Sequence, residues 1–183
     1  MSERATRVFL GLGANIGNRK ANLRLAMRWL ERECAVVAVS SLYRSDAGVL
    51  EGSAPGPDYL NVVCEVTTDL APADLLRFVQ SLEREIGRRP AERWAARVID
   101  VDILLFGDTV VHTTELEVPH PLLAERNFVL VPLAELAPEA MHPTLMRAIS
   151  ELAEDTDFGG LEHLQGPEWM VSTADADDDS EDE

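Results

Sequence analysis

The sequence predicts an α+β fold with a mainly antiparallel sheet. Apolar segments of strand length occupy residues 8–13, 34–44, 59–66 and 98–106, as expected of half-buried or buried strands. Two stretches between them repeat apolar residues with helical spacing. The resulting order is strand, helix, strand, strand, helix, strand, and no internal repeat is evident.

The first strand ends in glycine and leads through a turn-rich connector, 14–19, into a helix expected over 19–33. Its apolar face has i, i+3, i+4, i+7 spacing and consists of Leu23, Ala26, Met27 and Leu30. Residues 34–44 are expected to form the second strand, as one continuous element. A long loop, 45–58, contains three glycines and two prolines and precedes the third strand.

A second helix begins near Pro72, a residue favoured at the first helical position, and ends at Gly87. Its buried face comprises Leu75, Val79, Leu82 and Ile86. Another long loop, 87–97, then leads to the fourth strand. Loops of this length inside a small domain are usually functional.

The remaining elements are a hairpin at 110–111 and 116–118, which Pro119 and Pro121 end, and short helices at 128–136 and 144–152. The element order predicts a ferredoxin-like αβα sandwich, a split βαβ arrangement, with C-terminal additions. We expect one domain over 1–153 and an acidic, disordered tail over 154–183.

The net charge of −17 is concentrated at the C-terminus. Residues 151–183 carry 13 of the 33 acidic side chains and none of the 16 basic ones. Residues 1–150 carry 20 acidic and 16 basic side chains, so this part of the chain is not basic enough for general nucleic-acid binding. No apolar run approaches the ~20 residues that span a bilayer, and the two cysteines lack metal-ligand spacing. We expect a cytoplasmic protein that binds neither membrane nor nucleic acid, and a monomer.

Two carboxylates, Asp100 and Asp102, interrupt the apolar fourth strand. Residues i and i+2 of a strand project to the same face, and two neighbouring anions there require a cation. Several arginines surround the pair: Arg88, Arg89, Arg93, Arg97 and Arg126. Mg²⁺ binds one or two carboxylates together with phosphate oxygens, and guanidinium groups clamp phosphates. The pattern favours a metal site for a polyphosphate substrate, and salt bridges on an exposed edge strand are the alternative.

The sequence contains no phosphate-binding Gly-x-x-x-x-Gly-Lys-Ser/Thr loop, and Gly11 and Gly13 lack the third glycine of a dinucleotide fingerprint. We therefore expect these two glycines to serve close strand packing or a tight turn.

The segment from Arg93 to Leu104, Arg-Trp-x-x-Arg-x-Ile-Asp-x-Asp-Ile-Leu, resembles the signature of the 6-hydroxymethyl-7,8-dihydropterin pyrophosphokinase family. The likeness extends over about 8–149. It also includes Gly11-Leu-Gly-Ala-Asn15, Ser41-Leu-Tyr-Arg44, Asp58-Tyr-Leu-Asn61, Pro119-His-Pro121 and Arg126-x-Phe128. The resemblance implies a folate-pathway transferase that moves pyrophosphate from ATP to the pterin hydroxymethyl group and releases AMP.

The resemblance also implies roles for single residues. Asp100 and Asp102 would bind two Mg²⁺ ions, and Tyr59 and Phe128 would stack the pterin, with Asn61 on its amide edge. Phosphate-facing positions match Arg88, Arg97, His120 and Arg126. Positions near the nucleotide or pterin match Gln80, Glu83 and Ile103, and Trp94 matches a loop aromatic that closes over the site.

Catalysis would then consist mainly of alignment and charge neutralisation, with the loops 45–58 and 87–97 as lids that exclude water. Two other functions remain open. A nucleotidyltransferase also uses paired aspartates, although its usual Gly-Ser element is absent. An RNA-binding sheet could stack bases on Tyr59 and Phe128, although the body of the chain is not basic.

Overall fold

The computed structural model describes residues 5–46, 56–87 and 97–171. Its helices and strands, in chain order, are β1 Thr6–Ala14, α1 Arg19–Leu30, β2 Ala35–Val39, β3 Leu42–Ser45, β4 Tyr59–Thr68, α2 Pro72–Ile86, β5 Asp100–Phe106, β6 Val111–His112, β7 Glu117–Val118, α3 Asn127–Leu136, β8 Met141–His142, β9 Arg147–Ala148, α4 Ile149–Glu154 and β10 Leu161–Gln165. The α+β class and the antiparallel sheet are confirmed.

The main sheet has the order β10-β3-β4-β1-β5, and β2 also pairs with β4. Every pairing in it is antiparallel. The long strand β4 accommodates both β2 and β3 on one edge, β2 along 64–67 and β3 along 59–61. The central position of β1 and β4 explains why their residues are so deeply buried.

Two apolar layers flank the sheet. Leucines and Met27 of α1 and α2 pack on one face, against alternate residues of β1, β4 and β5. The opposite face is covered by α3 and α4, through residues such as Leu130 and Leu133. A β-bulge between β1 and β5 places Leu104 and Leu105 together in this second layer, since the register shifts after Phe9.

The prediction of a single strand over 34–44 is wrong at its centre, because the chain breaks at Ser40 and Ser41. The Ser40 hydroxyl accepts the backbone N–H of Val63 and donates to the Ser41 carbonyl. Ser41 donates its N–H and hydroxyl to Glu135 of α3. These side-chain partners replace the strand ladder.

The helix expected at 144–152 is also corrected. A tight hairpin, β8–β9, occupies 141–148, and α4 begins at Ile149. The hairpin at β6–β7 and the helix near 128–136 are confirmed.

The expectation of disorder from residue 154 is wrong for 154–171. Strand β10 extends the sheet beside β3, and Trp169 is completely buried. Its indole N–H donates to the Ser40 carbonyl, while its own carbonyl accepts from Arg24. The acidic end, 172–183, lies outside the described residues. No helix in the described part of the chain is long and apolar enough to cross a membrane.

Candidate active site

A cleft of about 540 Å³ opens on the face of the sheet that α3 covers. Its floor is β1, where Gly13 lies opposite Asn61 on one side and Asp100 on the other. Gly11 lies opposite Asp102. Without side chains at these two positions, the middle of the sheet is recessed between its neighbours. Residues lining the cleft are Gly11, Leu12, Gly13, Ser45, Asp46, Tyr59, Asn61, Val62, Arg97, Asp100, Asp102, Leu122, Arg126, Phe128 and Val129.

The two glycines therefore form the floor of the cleft. The alternative of a tight turn is wrong, since both lie within β1 and neither has a positive φ. A Cβ at residue 13 would lie 3.4 Å from Asn61 Oδ1 and 3.6 Å from Tyr59 Cδ1. Any larger residue there would occupy the space beside these two side chains.

The acidic pair lies as predicted on one face of β5. Asp100 and Asp102 both line the cleft, whereas Val101, between them, packs in the opposite core. The backbone N–H of Val101 donates to the buried carboxylate of Glu83 on α2, at 2.7 Å. Helix α2 thus fixes the strand from behind at the residue that separates the two aspartates.

Each aspartate faces a basic side chain. Arg97 Nη1 lies 2.7 Å from Asp100 Oδ1, and His120 Nε2 lies 3.8 Å from Asp102 Oδ2. The backbone N–H of Leu122 donates to His120 Nδ1, so the neutral ring carries its proton on Nε2, towards Asp102. Burial, and then the charge of Arg126, lower the pKa of His120.

The position of Arg97 is fixed by Asn15, the residue directly after β1. The Asn15 side-chain oxygen accepts the Arg97 N–H at 2.6 Å, and the Asn15 N–H donates to the Arg97 carbonyl. Asn15 also donates its amide to the Pro57 carbonyl. One buried side chain therefore ties together the chain on both sides of the cleft mouth.

One wall of the cleft is formed by β4 and the end of β3. Tyr59 and Asn61 alternate onto the cleft face of β4. The Asn61 amide donates to the Ser45 hydroxyl at 2.8 Å. Because this bond holds the NH₂ group, the amide oxygen is oriented over Gly13. Burial raises the pKa of the Tyr59 hydroxyl, so Tyr59 and Asn61 present neutral side chains to the cleft.

Another part of the lining is the start of α3. Phe128 lies in its first turn, and the Arg126 guanidinium lies over the Phe128 ring, 5.6 Å from its centroid. Both line the cleft. An aromatic ring and a cation are thus presented together in the cleft that Tyr59 also lines.

The acidic pair suits a hard divalent metal ion. Both groups are carboxylates, whose oxygens Mg²⁺ prefers. Within residues 5–46, 56–87 and 97–171, no cluster of three or more His, Cys, Asp or Glu side chains could hold a metal by itself. An ion at this pair would need further ligands from water or substrate, the usual situation for Mg²⁺ with a nucleotide.

The structure brings together Tyr59, Asn61, Arg97, Asp100, Asp102, Arg126 and Phe128 around the cleft, with His120 against Asp102. Three predicted residues do not line it. Gln80 is exposed on α2, Glu83 binds the back of β5, and the Ile103 side chain packs in the core beneath α1 and α2. Arg88 and Trp94, with most of the loops 45–58 and 87–97, lie outside the described residues.

Sequence reasoning missed Ser45, Asp46 and Leu122 as lining residues, and Asn15 as the residue that positions Arg97. Ser45 lies two positions from Tyr43 on the same strand face, so its pairing with Asn61 depends on the register of β3 with β4. No local signal reveals that register. Asn15 carried a signal, a polar residue after an apolar strand, but its partner Arg97 is 82 residues away.

Comparison with known proteins places these features in a family. Residues 9–138 match the family model described as 7,8-dihydro-6-hydroxymethylpterin-pyrophosphokinase. The 2-amino-4-hydroxy-6-hydroxymethyldihydropteridine pyrophosphokinase of Pseudomonas aeruginosa is 41% identical over 162 residues, 87% of this chain and 98% of that protein. The Aquifex aeolicus enzyme of the same name is 38% identical over 144 residues, 79% of this chain and 88% of that protein.

Two longer relatives match this chain over only part of their own length. The folic acid synthesis protein FOL1 of Dictyostelium discoideum is 36% identical over 166 residues, 91% of this chain but only 25% of that protein. A crystal structure of Plasmodium falciparum HPPK-DHPS with pterin and p-hydroxybenzoate superposes with a TM-score of 0.70 at 15% identity. It covers 89% of this chain and 48% of that one, and it supports the fold.

Proposed function

Because this chain belongs to the 7,8-dihydro-6-hydroxymethylpterin-pyrophosphokinase family, whose reaction is pyrophosphoryl transfer to hydroxymethyldihydropterin in folate synthesis, we propose that the cleft between β4, β5 and α3 is where it performs that reaction. ATP is the co-substrate of the family. The observation that carries the proposal is the recessed floor of Gly11 and Gly13, bounded by paired carboxylates on one side and by Tyr59 and Asn61 on the other.

The pterin binds between Tyr59 and Phe128, which both line the cleft. Two aromatic faces bind a flat heterocycle by stacking and by excluding water. Asn61 recognises the amide edge of the ring through its side-chain oxygen, because its NH₂ group is engaged by Ser45. Tyr59 and Asn61 are neutral, as suits an uncharged pterin ring.

Asp100 and Asp102 hold Mg²⁺, two ions in our proposal. When bound there, Mg²⁺ would supply positive charge against the phosphate oxygens. The metal site is supported by its two carboxylates, which lie on one face of β5 and leave further ligands to substrate or water. Glu83 also fixes the strand at Val101, between the two aspartates. His120 lies beside this pair, with Nε2 3.8 Å from Asp102 Oδ2, where it can face the phosphates as the resemblance implies.

Arg97 and Arg126 bind the polyphosphate from two sides. Each lines the cleft, and guanidinium groups donate forked hydrogen bonds to phosphate oxygens. Arg97 makes an ion pair with Asp100 in the described structure, and its backbone is fixed by Asn15. Arg88, Trp94, Gln80 and Ile103 remain predictions, as does the closing of the two long loops.

The reaction is in-line displacement at the β-phosphorus. A bond forms between the pterin hydroxymethyl oxygen and that phosphorus, and the bond to the α,β-bridging oxygen breaks, so AMP leaves with the electron pair. The hydroxyl proton passes to a carboxylate of the pair or to solvent. The protein contributes alignment of the two substrates and fixed charges around the phosphates.

We propose that residues 5–171 act as one catalytic unit, in place of the expected division at 153, because β10 and Trp169 are integral to the sheet and core. The expectation of a monomer remains a prediction. Cytoplasmic location is supported by the use of ATP and by two buried free thiols, Cys34 and Cys64.

The test is product analysis. Purified protein, ATP, Mg²⁺ and 6-hydroxymethyl-7,8-dihydropterin should give AMP and the pterin diphosphate in equal amounts, by anion-exchange chromatography and ³¹P NMR. Formation of ADP with a pterin monophosphate would contradict transfer at the β-phosphorus. Absence of turnover combined with tight RNA binding would favour the binding-module alternative, and release of pyrophosphate would favour a nucleotidyltransferase.

A further inference from the structure

A short segment near the C-terminus connects the two walls of the cleft. It comprises residues 157–162 and is called here the C-terminal bridge. It lies beyond 9–138, the part of the chain that matches the family model. It runs from the start of α3, beside Phe128, to the end of β3, beside Ser45. These are the two walls between which we place the pterin.

The contact with α3 is made by one side chain. Asn127 donates its amide to the backbone carbonyls of Asp157, at 2.9 Å, and Gly159, at 3.0 Å. The turn that presents both carbonyls is closed by the Gly159 N–H, which donates to the Asp157 carboxylate. Asn127 lies between Arg126 and Phe128, so its attachment fixes the backbone of both cleft residues.

The contact with β3 is made by backbone pairing and by an ion pair between Arg44 of β3 and Glu162 of the bridge. Leu161 is paired with Ser45, and the Asp46 N–H donates to the Gly160 carbonyl at 3.3 Å. Gly160 has φ of +74°, and a Cβ there would lie 3.1 Å from Asp46 Oδ2. Only glycine adopts this conformation without strain and leaves the Asp46 side chain in place.

Both ends of the bridge are attached to rigid structure. Beyond it, Gln165 accepts a hydrogen bond from Lys20 of α1, and Trp169 is buried in the core. Helix α3 is also tied to β3 at its far end, where Glu135 accepts from Ser41 and from the Tyr43 hydroxyl. Among the described residues, the bridge thus links α3 and β3 at their cleft ends, and Glu135 links them at the other end.

We propose that Asn127 and Gly160 are positioning residues: through the C-terminal bridge they set the separation between Phe128 and the wall formed by Ser45 and Asn61, and so the fit of the pterin. This inference rests on the proposed function of the cleft. Neither residue itself lines the cleft, so both act through their neighbours. Loosening the bridge weakens pterin binding and leaves the metal side, on β5, intact.

Three variants test this inference in the full chain. Asn127→Ala removes both hydrogen bonds. Asn127→Asp replaces the donor by a carboxylate that repels the two carbonyl oxygens, although an acid in the first turn favours the helix itself. Gly160→Ala pushes on Asp46. Gly107→Ala is the matched control, because Gly107 also has a positive φ, +50°, and its Cβ would be crowded, 3.3 Å from Thr6, away from the cleft.

The readouts are KM for 6-hydroxymethyl-7,8-dihydropterin, KM for ATP, kcat and the melting temperature. The three bridge variants should raise the pterin KM about fivefold to tenfold, Asn127→Asp the most, with kcat within about twofold of wild type. Gly107→Ala should lower the melting temperature without changing the pterin KM.

Two results would overturn the inference: an unchanged pterin KM in the bridge variants, or a rise of equal size in the Gly107→Ala control. Asn127→Asp distinguishes positioning from helix stability. It should raise the pterin KM, whereas its added negative charge in the first turn should stabilise α3. Failure of the proposed function is distinguishable, because the wild-type protein itself would then form no AMP.

Discussion

The carboxylate of Glu83 accepts a hydrogen bond from the backbone N–H of Val101, with 2.7 Å between Oε1 and N. Val101 separates the two aspartates of β5, and Glu83 is only 4% exposed. The resemblance places Glu83 near the nucleotide or pterin. In the structure Glu83 instead binds the back of β5, the strand that carries the proposed metal ligands. Its position links the orientation of Asp100 and Asp102 to helix α2.

Replacing Glu83 should affect both stability and catalysis. In Glu83→Ala the Val101 N–H loses its partner in a buried setting, at a cost of about 1–3 kcal/mol in the free energy of unfolding. Glu83→Gln keeps an acceptor and should retain most of the stability. We expect kcat to fall more in Glu83→Ala than in Glu83→Gln, measured beside urea unfolding. Equal kcat in wild type and Glu83→Ala would contradict the positioning of the pair by α2.

Gly13→Ala tests the recessed floor. Its Cβ would contact Asn61 Oδ1 and the Tyr59 ring, in space that we assign to the pterin. The pterin KM should rise at least about fivefold, while the melting temperature should change little, because residue 13 is in ordinary strand conformation. A fully active variant with unchanged pterin KM would show that the ring binds elsewhere.

Trp169→Phe tests the integration of the C-terminal segment. The variant loses the indole hydrogen bond to the Ser40 carbonyl and leaves part of a buried volume empty. We expect a loss of about 1–3 kcal/mol in the free energy of unfolding, from urea titration. Trp29→Phe, at a half-buried site on α1, is the control and should cost less. Equal stability of wild type and Trp169→Phe would refute this role.

The C-terminal segment also shows where sequence reasoning reached its limit. The acidic residues after 174 predict disorder, and nothing local in the sequence marks where that disorder begins between 154 and 174. The burial of Trp169 depends on Ser40 and Arg24, which are 129 and 145 residues away in sequence. No local pattern predicts those contacts. The break between β2 and β3 has the same cause, since Ser40 and Ser41 also bond to Val63 and Glu135, which are far away in sequence.

The acidic strand could be predicted because its information is local. Apolar residues around Asp100 and Asp102 indicate a strand, and alternation along a strand places both acids on one face. The residues that support them, Glu83 and Asn15, act on backbone groups of distant segments. Such contacts depend on how the elements pack, which periodicity does not encode.

A pH dependence of stability should come from His142. Burial lowers its pKa from the ordinary value of 6.5, and its Nδ1 accepts the Leu145 N–H in the β8–β9 hairpin. The folded state therefore favours the neutral ring, and the unfolded chain takes up the proton first as the pH falls. The stabilisation is complete above pH 6.5 and is lost progressively below it.

The measurement is the free energy of unfolding of wild type and His142→Asn between pH 7.5 and 5. The difference in the free energy of unfolding between wild type and His142→Asn should shrink as the pH falls through 6.5. The control is His112→Asn, whose side chain is 82% exposed, and it should follow wild type across the range. A difference between wild type and His142→Asn that stays constant with pH would contradict this role of the buried ring.

The central claim is our proposal that Asp100 and Asp102 hold the Mg²⁺ needed for pyrophosphoryl transfer from ATP to the pterin. The most direct test is the rate of AMP formation by Asp102→Asn at saturating ATP, pterin and Mg²⁺. Asp108→Asn serves as control, the same substitution at an exposed position just beyond β5. We expect Asp102→Asn to fold with a normal melting temperature and to lose at least about a thousandfold in rate, while Asp108→Asn stays at the wild-type rate. A wild-type rate in Asp102→Asn would contradict the claim.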